Sequence, residues 1–386
     1  MSDEVVPSYA YGPDCVPAEE DPAHGMWRWS RLLPFDGSAD YPLPVGGTPL
    51  ISMPDVGRAL GAGHLMIKDE TRGPSGSNKD RATALCVADA LRRSRSVIAC
   101  ASTGNVATSL AIGAAAVGMH AVTFVAHDAI ASQKERLMRS FGATVVKVRG
   151  SYEDAYQVCE DACRMFGWYS RNTGTNPLAF QAKKTVAFEI WEQAGRRVPD
   201  DIFVPVGDGV TAAAIAHGFD ELVACGVATT SPRLIGVQAS GAAPLAEAFR
   251  TGRHWSIRPV RTIADGIAVG DPVFGAQVLD AVQRTNGAFI VVTDDEIRAA
   301  IATLAAAGFL AEPAGAAALA GLAAWVREHG ASDRQTVVLV TGSGLKDDRW
   351  WPDDRGRSVS VGPSVDELMS AGVAPPAETP TAASTL

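Results

Sequence analysis

Short apolar runs recur along the chain as SVIAC, AVTFV, TVVKV, DIFVPV, LIGVQ, FIVV and TVVLVT. Between them lie longer Ala-rich segments, such as ATALCVADALRR and NVATSLAIGAAAVG, in which polar positions fall at helical spacing. Uninterrupted apolar runs of strand length belong to strands covered on both faces. Their alternation with amphipathic segments predicts parallel strands joined by crossover helices. From 105 to 149 the order reads helix, strand, helix, strand, with Gly118 and Gly142 at plausible helix ends. A second set of elements follows between Asp201 and Thr341, and no period of roughly 20 to 50 residues recurs. The expected fold class is α/β, with two doubly wound open-sheet lobes.

A length of 386 residues exceeds the roughly 100–200 residues of one domain, which suggests two domains or one large domain with an insert. The chain is 47% hydrophobic and 20% charged, which excludes disorder as its main state. Its formal charge of −9 gives no broad attraction to nucleic acid or an anionic membrane, so any anionic ligand must be held locally. None of the six cysteines forms a CxxC pair, which fits reduced thiols in a cytoplasmic protein. The acidic start MSDEVVPSYAYGPDC has no basic n-region or apolar h-region, and no apolar stretch reaches spanning length, so no membrane anchor is expected. The seven histidines show neither HExxH nor a Cys-His cluster, and no metal is expected.

Four polar, Gly-rich segments interrupt the pattern where a doubly wound sheet places its ligand crevice. The first, GPSGSNKDR, delivers Lys79 at the start of a helix, where the positive end of the dipole disfavours an ammonium. That suits a Schiff-base lysine; a solvated lysine beside Asp80 is the alternative. The second, Ala101-Ser102-Thr103-Gly104-Asn105, follows a strand and opens a helix, so it is either an anion nest for a carboxylate or an ordinary N-cap. The third runs from Pro205 through Gly207, Asp208, Gly209, Val210 and Thr211 between a strand and a helix. It lacks a Walker lysine and the dinucleotide spacing, so it reads as a cradle for one phosphate monoester or as a plain turn. The fourth, TGSGLKD from Thr341, leaves hydroxyls at the carboxyl edge of the sheet.

In this order the four segments resemble the fold type II (tryptophan synthase β-like) pyridoxal-phosphate enzymes, most closely the threonine synthase branch, over roughly Pro44 to Asp348. The resemblance implies the cofactor pyridoxal 5′-phosphate between two lobes, with Lys79 as its Schiff-base lysine. It implies Asn105 on the pyridoxal 3-hydroxyl and the turn of Ser102, Thr103 and Gly104 on the substrate carboxylate. Gly207, Asp208, Gly209, Val210 and Thr211 would hold the cofactor phosphate, and Thr341 would face the pyridine nitrogen. GGTPL, QASGAAPL, TIADGIAVGDP and EPAGAA are further matches. Asn78 replaces the usual Phe before the lysine, and reads a polar substrate group or hydrogen-bonds behind the cofactor. The implied organisation is an N-terminal arm at 1–45, a large cofactor-binding domain at 46–80 and 171–360, a small α/β domain at 81–170 and a disordered tail at 361–386. A homodimer and a small amino acid substrate are also implied. Trp350 and Trp351 are expected to pack against Trp27 and Trp29 of the arm or to line the site entrance.

The pattern departs from the branch where the branch binds its substrate's phosphate. Its phosphate-binding segment, Asn-Ser-x-Asn-Pro-x-Arg-x-Glu-Gly-Gln-Lys-Thr, reads here Thr173-Gly174-Thr175-Asn176-Pro177-Leu178-Ala179-Phe180-Gln181-Ala182-Lys183-Lys184-Thr185. Ala179 stands where the arginine belongs, and Val106 replaces a hydroxyl residue after Asn105. An arginine fork forms a bidentate, charge-assisted pair with phosphate, and alanine offers nothing in its place. Only Lys183 is a new cation nearby, since Lys184 matches the branch's own lysine. The expected activity is therefore elimination or replacement at Cβ or Cγ of an amino acid other than O-phosphohomoserine. The alternatives are a threonine synthase with a rebuilt phosphate site and a cofactor-binding protein without turnover.

Overall fold

The computed structural model describes residues 9–371 other than 20, 22, 103, 128–131 and 353–357. It divides into two units, Met1–Trp351 and Pro352–Leu386. Within the second, the tail expected to be disordered contains a short helix, Val365–Ser370, started by a Ser364 side-chain cap on the Glu367 amide. Residues 372–386 lie outside the described part.

The first unit holds two sheets. Strands β1 (Leu50–Ser52), β2 (Ala62–Asp69), β7 (Asp201–Pro205), β8 (Arg233–Ala239), β9 (Ala288–Val292) and β10 (Ser332–Val340) form a six-stranded sheet in the order β1-β2-β10-β7-β8-β9. Strands β3 (Val97–Ala101), β4 (His120–Ala126), β5 (Thr144–Val148) and β6 (Tyr169–Ser170) form a second sheet in the order β5-β4-β3-β6. Each of the seven apolar runs named above supplies a strand, and all neighbours run parallel except β1, which pairs antiparallel with β2. The helix Pro54–Leu60 turns the chain back there, so this edge departs from the all-parallel expectation.

Alternate residues of a strand point to opposite faces, and both faces of the central strands are covered. Ile202, Val204, Leu234, Val337 and Leu339 join one buried cluster, while Phe203, Ile235, Val237, Val338 and Val340 join another on the opposite face. Ile98 and Cys100 are likewise separated from Ala99 and Ala101 across the second sheet. The α/β class with two doubly wound sheets is the fold observed.

Residues 25–32 of the expected irregular arm form a 3-10 helix whose Met26 and Trp29 are fully buried. The four tryptophans do not pack together. Trp29 packs at a tilt against Phe188, Trp27 enters the core under the second sheet, Trp350 packs against the cluster around Phe203, and Trp351 donates its indole N–H to the Gly344 carbonyl. All six cysteines are buried and free, and among the described residues no helix is long and apolar enough to cross a membrane.

Candidate active site

Four chain segments end at one cleft. Lys79 opens the helix Lys79–Arg92, and the turn before it is clamped to the end of β10: the Asn78 amide donates to the Thr341 carbonyl at 2.9 Å, and Ser77 bridges Gly342. Asn105 opens the helix Asn105–Ala116 behind β3. The loop from Gly207 to Gly209 leads from β7 into the helix Val210–Ala224. Together they line an open cleft of about 390 Å³, to which Asn78, Lys79, Asn105, Gly207, Asp208, Gly209, Thr211 and Thr341 all contribute.

Lys79 Nζ donates to Asn78 Oδ1 at 2.9 Å. Burial pushes its pKa below the ordinary lysine value, opposed by Asp208, Glu312 and Asp265 and reinforced by Arg171. A lysine held in this way approaches the neutral form that can act as nucleophile or base. Asn78 is itself buried and lines the cleft, with its Oδ1 accepting from Lys79 and its Nδ2 3.4 Å from Thr211 Oγ1.

The loop after β7 needs its glycines. Gly209 adopts φ +89°, a left-handed conformation, and a Cβ there would lie 2.8 Å from the Val278 side chain. Asp208 accepts the Val210 amide at 3.1 Å, and the remaining first-turn amides of the helix have no intrahelical acceptor. Such a turn at a helix N-terminus attracts an anion.

Other expected positions lie off the cleft lining. The Val210 side chain is core, packed with Ile202 and Phe219. Ser102 Oγ accepts the Gly104 amide at 3.2 Å, and neither residue lines the cleft. Thr103 lies outside the described residues.

Glu312 is a site residue that sequence reasoning left in a supporting motif, EPAGAA. Its Oε1 accepts Asn105 Nδ2 at 2.6 Å, across a separation of 207 residues. Gly342 makes this meeting possible, because a Cβ on it would lie 2.2 Å from Glu312 Oε1. Its only sequence signal is an acid placed before a proline at a helix start, which is common for unrelated reasons. Arg171 was also unforeseen: it is wholly buried and donates to the Lys79 carbonyl at 3.4 Å.

The family model described as "Pyridoxal-phosphate dependent enzyme" matches residues 41–342, which include every segment of this cleft. The chain belongs to that family. Within it, the chain is 37% identical over 330 residues to threonine synthase of Methanocaldococcus jannaschii, covering 84% of this chain and 81% of that one. Threonine synthase of Methanosarcina acetivorans is 34% identical over 351 residues, covering 90% and 86%. This PLP enzyme therefore sits in the threonine synthase-like branch. Its fold is shared with processed threonine deaminase isoform 2 of Solanum lycopersicum, at TM-score 0.68 and 23% identity over 78% of this chain and 85% of that one. Maize serine racemase gives TM-score 0.67 and 22% identity over 79% and 91%.

The cleft of this PLP enzyme fits the cofactor. Asn105 Oδ1 is buried without a hydrogen-bond partner among the described residues, while its Nδ2 is engaged by Glu312. The amide is thereby fixed with its acceptor free, as a phenolic hydroxyl donor requires. Thr341, at the end of β10, offers a hydroxyl and no charge, and the loop after β7 offers amides for a phosphate.

Proposed function

We propose that this PLP enzyme is a lyase or synthase that eliminates or replaces a group at Cβ or Cγ of an amino acid, and that its substrate is not O-phosphohomoserine. When bound, the cofactor withdraws electrons from the substrate's Cα. Lys79 would hold the cofactor and, with its pKa lowered by burial, accept the proton from Cα. Asn78 Oδ1 keeps the Lys79 amine in place, and Asn105, oriented by Glu312, would hold the phenolic oxygen. Thr341, unlike a carboxylate, would not keep the ring nitrogen protonated, which disfavours transamination and suits elimination or replacement.

The observation that carries the substrate exclusion is Ala179. It stands at the branch's arginine position, fully buried on the helix Leu178–Lys183, with a methyl group where a phosphate would meet a guanidinium. The second reading, a threonine synthase with a rebuilt phosphate site, is favoured by Lys183, which lies one helical turn after Ala179 on the same face.

The test is a visible absorbance titration of the purified holoprotein with serine, threonine, cysteine, larger β-substituted amino acids, phosphoserine and O-phosphohomoserine. New bands are expected with unphosphorylated amino acids. Phosphate release from O-phosphohomoserine with formation of threonine would return the chain to the second reading. Lys79→Ala is expected to abolish the band of the lysine-bound cofactor and to lower turnover by at least about 10²-fold to 10⁴-fold.

A further inference from the structure

Lys183 is sealed from solvent, 2% exposed, at the end of the helix Leu178–Lys183. Its Nζ donates to Thr211 Oγ1 at 2.9 Å, and Asn78 Nδ2 approaches the same oxygen at 3.4 Å. Thr211 lines the cleft in the first turn of the helix Val210–Ala224. Its oxygen already accepts, so its own proton is available to an acceptor in the cleft. An ammonium carries three donors, and only one is used by Lys183 among the described residues.

Lys183 has a second buried cation in its electrostatic surroundings. The Arg171 guanidinium donates to Thr83 Oγ1, Thr173 Oγ1 and the Lys79 carbonyl at 3.4, 3.2 and 3.4 Å, all neutral acceptors. Among the described residues neither Lys183 nor Arg171 has a carboxylate at ion-pair distance. The next residue shows the contrast: Lys184, equally buried, pairs with Glu221 at 2.8 Å.

A buried cation without a counter-charge is costly unless a ligand supplies one. We propose that Lys183 is the cationic contact for a phosphate monoester seated beside Thr211. Resting on the reading of this cleft as the cofactor site, the phosphate is the cofactor's own 5′-phosphate or one carried by the substrate. Lysine suits this role as a compact point charge. Burial lowers its pKa well below the ordinary value, with Lys79 and Arg171 adding to the effect and Asp208 and Glu70 opposing it, so a phosphate dianion arriving beside it favours uptake of a proton. Ligand binding is thereby coupled to proton uptake.

The experiment compares full-length wild type with Lys183→Met and Lys183→Arg. Thermal melting establishes that each is folded; methionine fills the stem's volume without a buried charge, and arginine restores the charge. Four probes are titrated: PLP, pyridoxal without its phosphate, and, against holoprotein, inorganic phosphate and phosphoserine. A PLP affinity lower in Lys183→Met by roughly tenfold to a hundredfold, partly restored in Lys183→Arg and absent with pyridoxal, supports the cofactor's phosphate as the partner. Unchanged PLP affinity with a weakened response to inorganic phosphate and phosphoserine supports a substrate phosphate. In either case wild type takes up more protons per phosphate bound than Lys183→Met. Equal affinities of wild type and Lys183→Met for all phosphate-bearing probes would overturn the proposal. A wild-type chain that binds no PLP overturns the reading of the cleft instead, and the inorganic phosphate titration on that protein still decides Lys183.

Discussion

Around Glu189 every buried charge has its opposite: Lys68 of β2 at 2.7 Å, Arg81 at 2.6 Å, and Glu70 closing on Arg81 at 2.6 Å. Lys183, bonded to Thr211, and Arg171, bonded to Thr83 and Thr173, instead have neutral oxygens as hydrogen-bond partners, with Asp208 and Glu70 acting on Lys183 only from beyond contact. The first group is balanced and needs no ligand. It ties β2, the helix Lys79–Arg92 and the helix Thr185–Gln193 together beneath the site, and Thr48, Thr185 and Gln193 satisfy further donors or acceptors. The second leaves Lys183 without a carboxylate at ion-pair distance among the described residues, bonded instead to Thr211 of the cleft lining. Burial is similar in both, so counter-charge is what separates a structural group from a binding group.

The largest break in this comparison is Glu189→Gln. It leaves Lys68 and Arg81 sharing one carboxylate, and is expected to destabilise the fold by about 3–5 kcal/mol in chemical denaturation. The same variant changes the acid limb. Burial pushes the Glu189 pKa up, but Arg81 and Lys68 overcome this and hold it at about 2, below the ordinary 4.5. Its contribution is therefore complete above pH 4.5 and is lost as pH falls from there toward 2. Denaturation across that window should be less steep in pH for the variant than for wild type.

The adjacent lysines sharpen the contrast. Lys184→Met takes from Glu221 its lysine, leaving it the Tyr11 hydroxyl at 3.0 Å and His217 at 3.4 Å, and is expected to cost about 3 kcal/mol. Lys183→Met removes a cation with no acid, and the cofactor-free protein should change by no more than about 1 kcal/mol, or gain stability. Equal losses in the two variants would show that counter-charge does not distinguish them. A smaller effect, about 1–3 kcal/mol, is expected for Gly342→Ala, whose methyl would displace Glu312 from Asn105. Cofactor affinity measured on the same sample should fall with it. The lower bound is an exposed pair: Arg58→Ala opposite Asp55, with side chains 76% and 92% exposed, should shift stability by less than about 0.5 kcal/mol.

Much of this was legible in the chain itself. Strands buried on both faces must be continuous apolar runs, so β3, β4 and β7 to β10 were visible as such, and the half-exposed edge strand β5 through its β-branched residues. The loops at their ends were visible as polar and Gly-rich. β2 was not, because AGHLMIKD ends in a lysine and an aspartate that read as surface. Lys68 is buried there only because Glu189 meets it from another helix. Asn105 was legible through its motif, whereas Glu312, which orients it, was one acid among many until the fold closed a 207-residue separation.

The sequence by itself determined the α/β class, the family, the cofactor and the positions of Lys79, Asn105 and Thr341, because hydrophobic period and turn chemistry are local properties of the chain. Tertiary structure decided which charges are answered. Lys183 and Lys184 are the same residue type at adjacent positions, equally buried, yet one finds Glu221 and the other faces Thr211 at the cleft. That difference arises because consecutive side chains on a helix point about 100° apart toward different neighbours, and the electrostatics of a buried group depend on those neighbours, not on its place in the sequence.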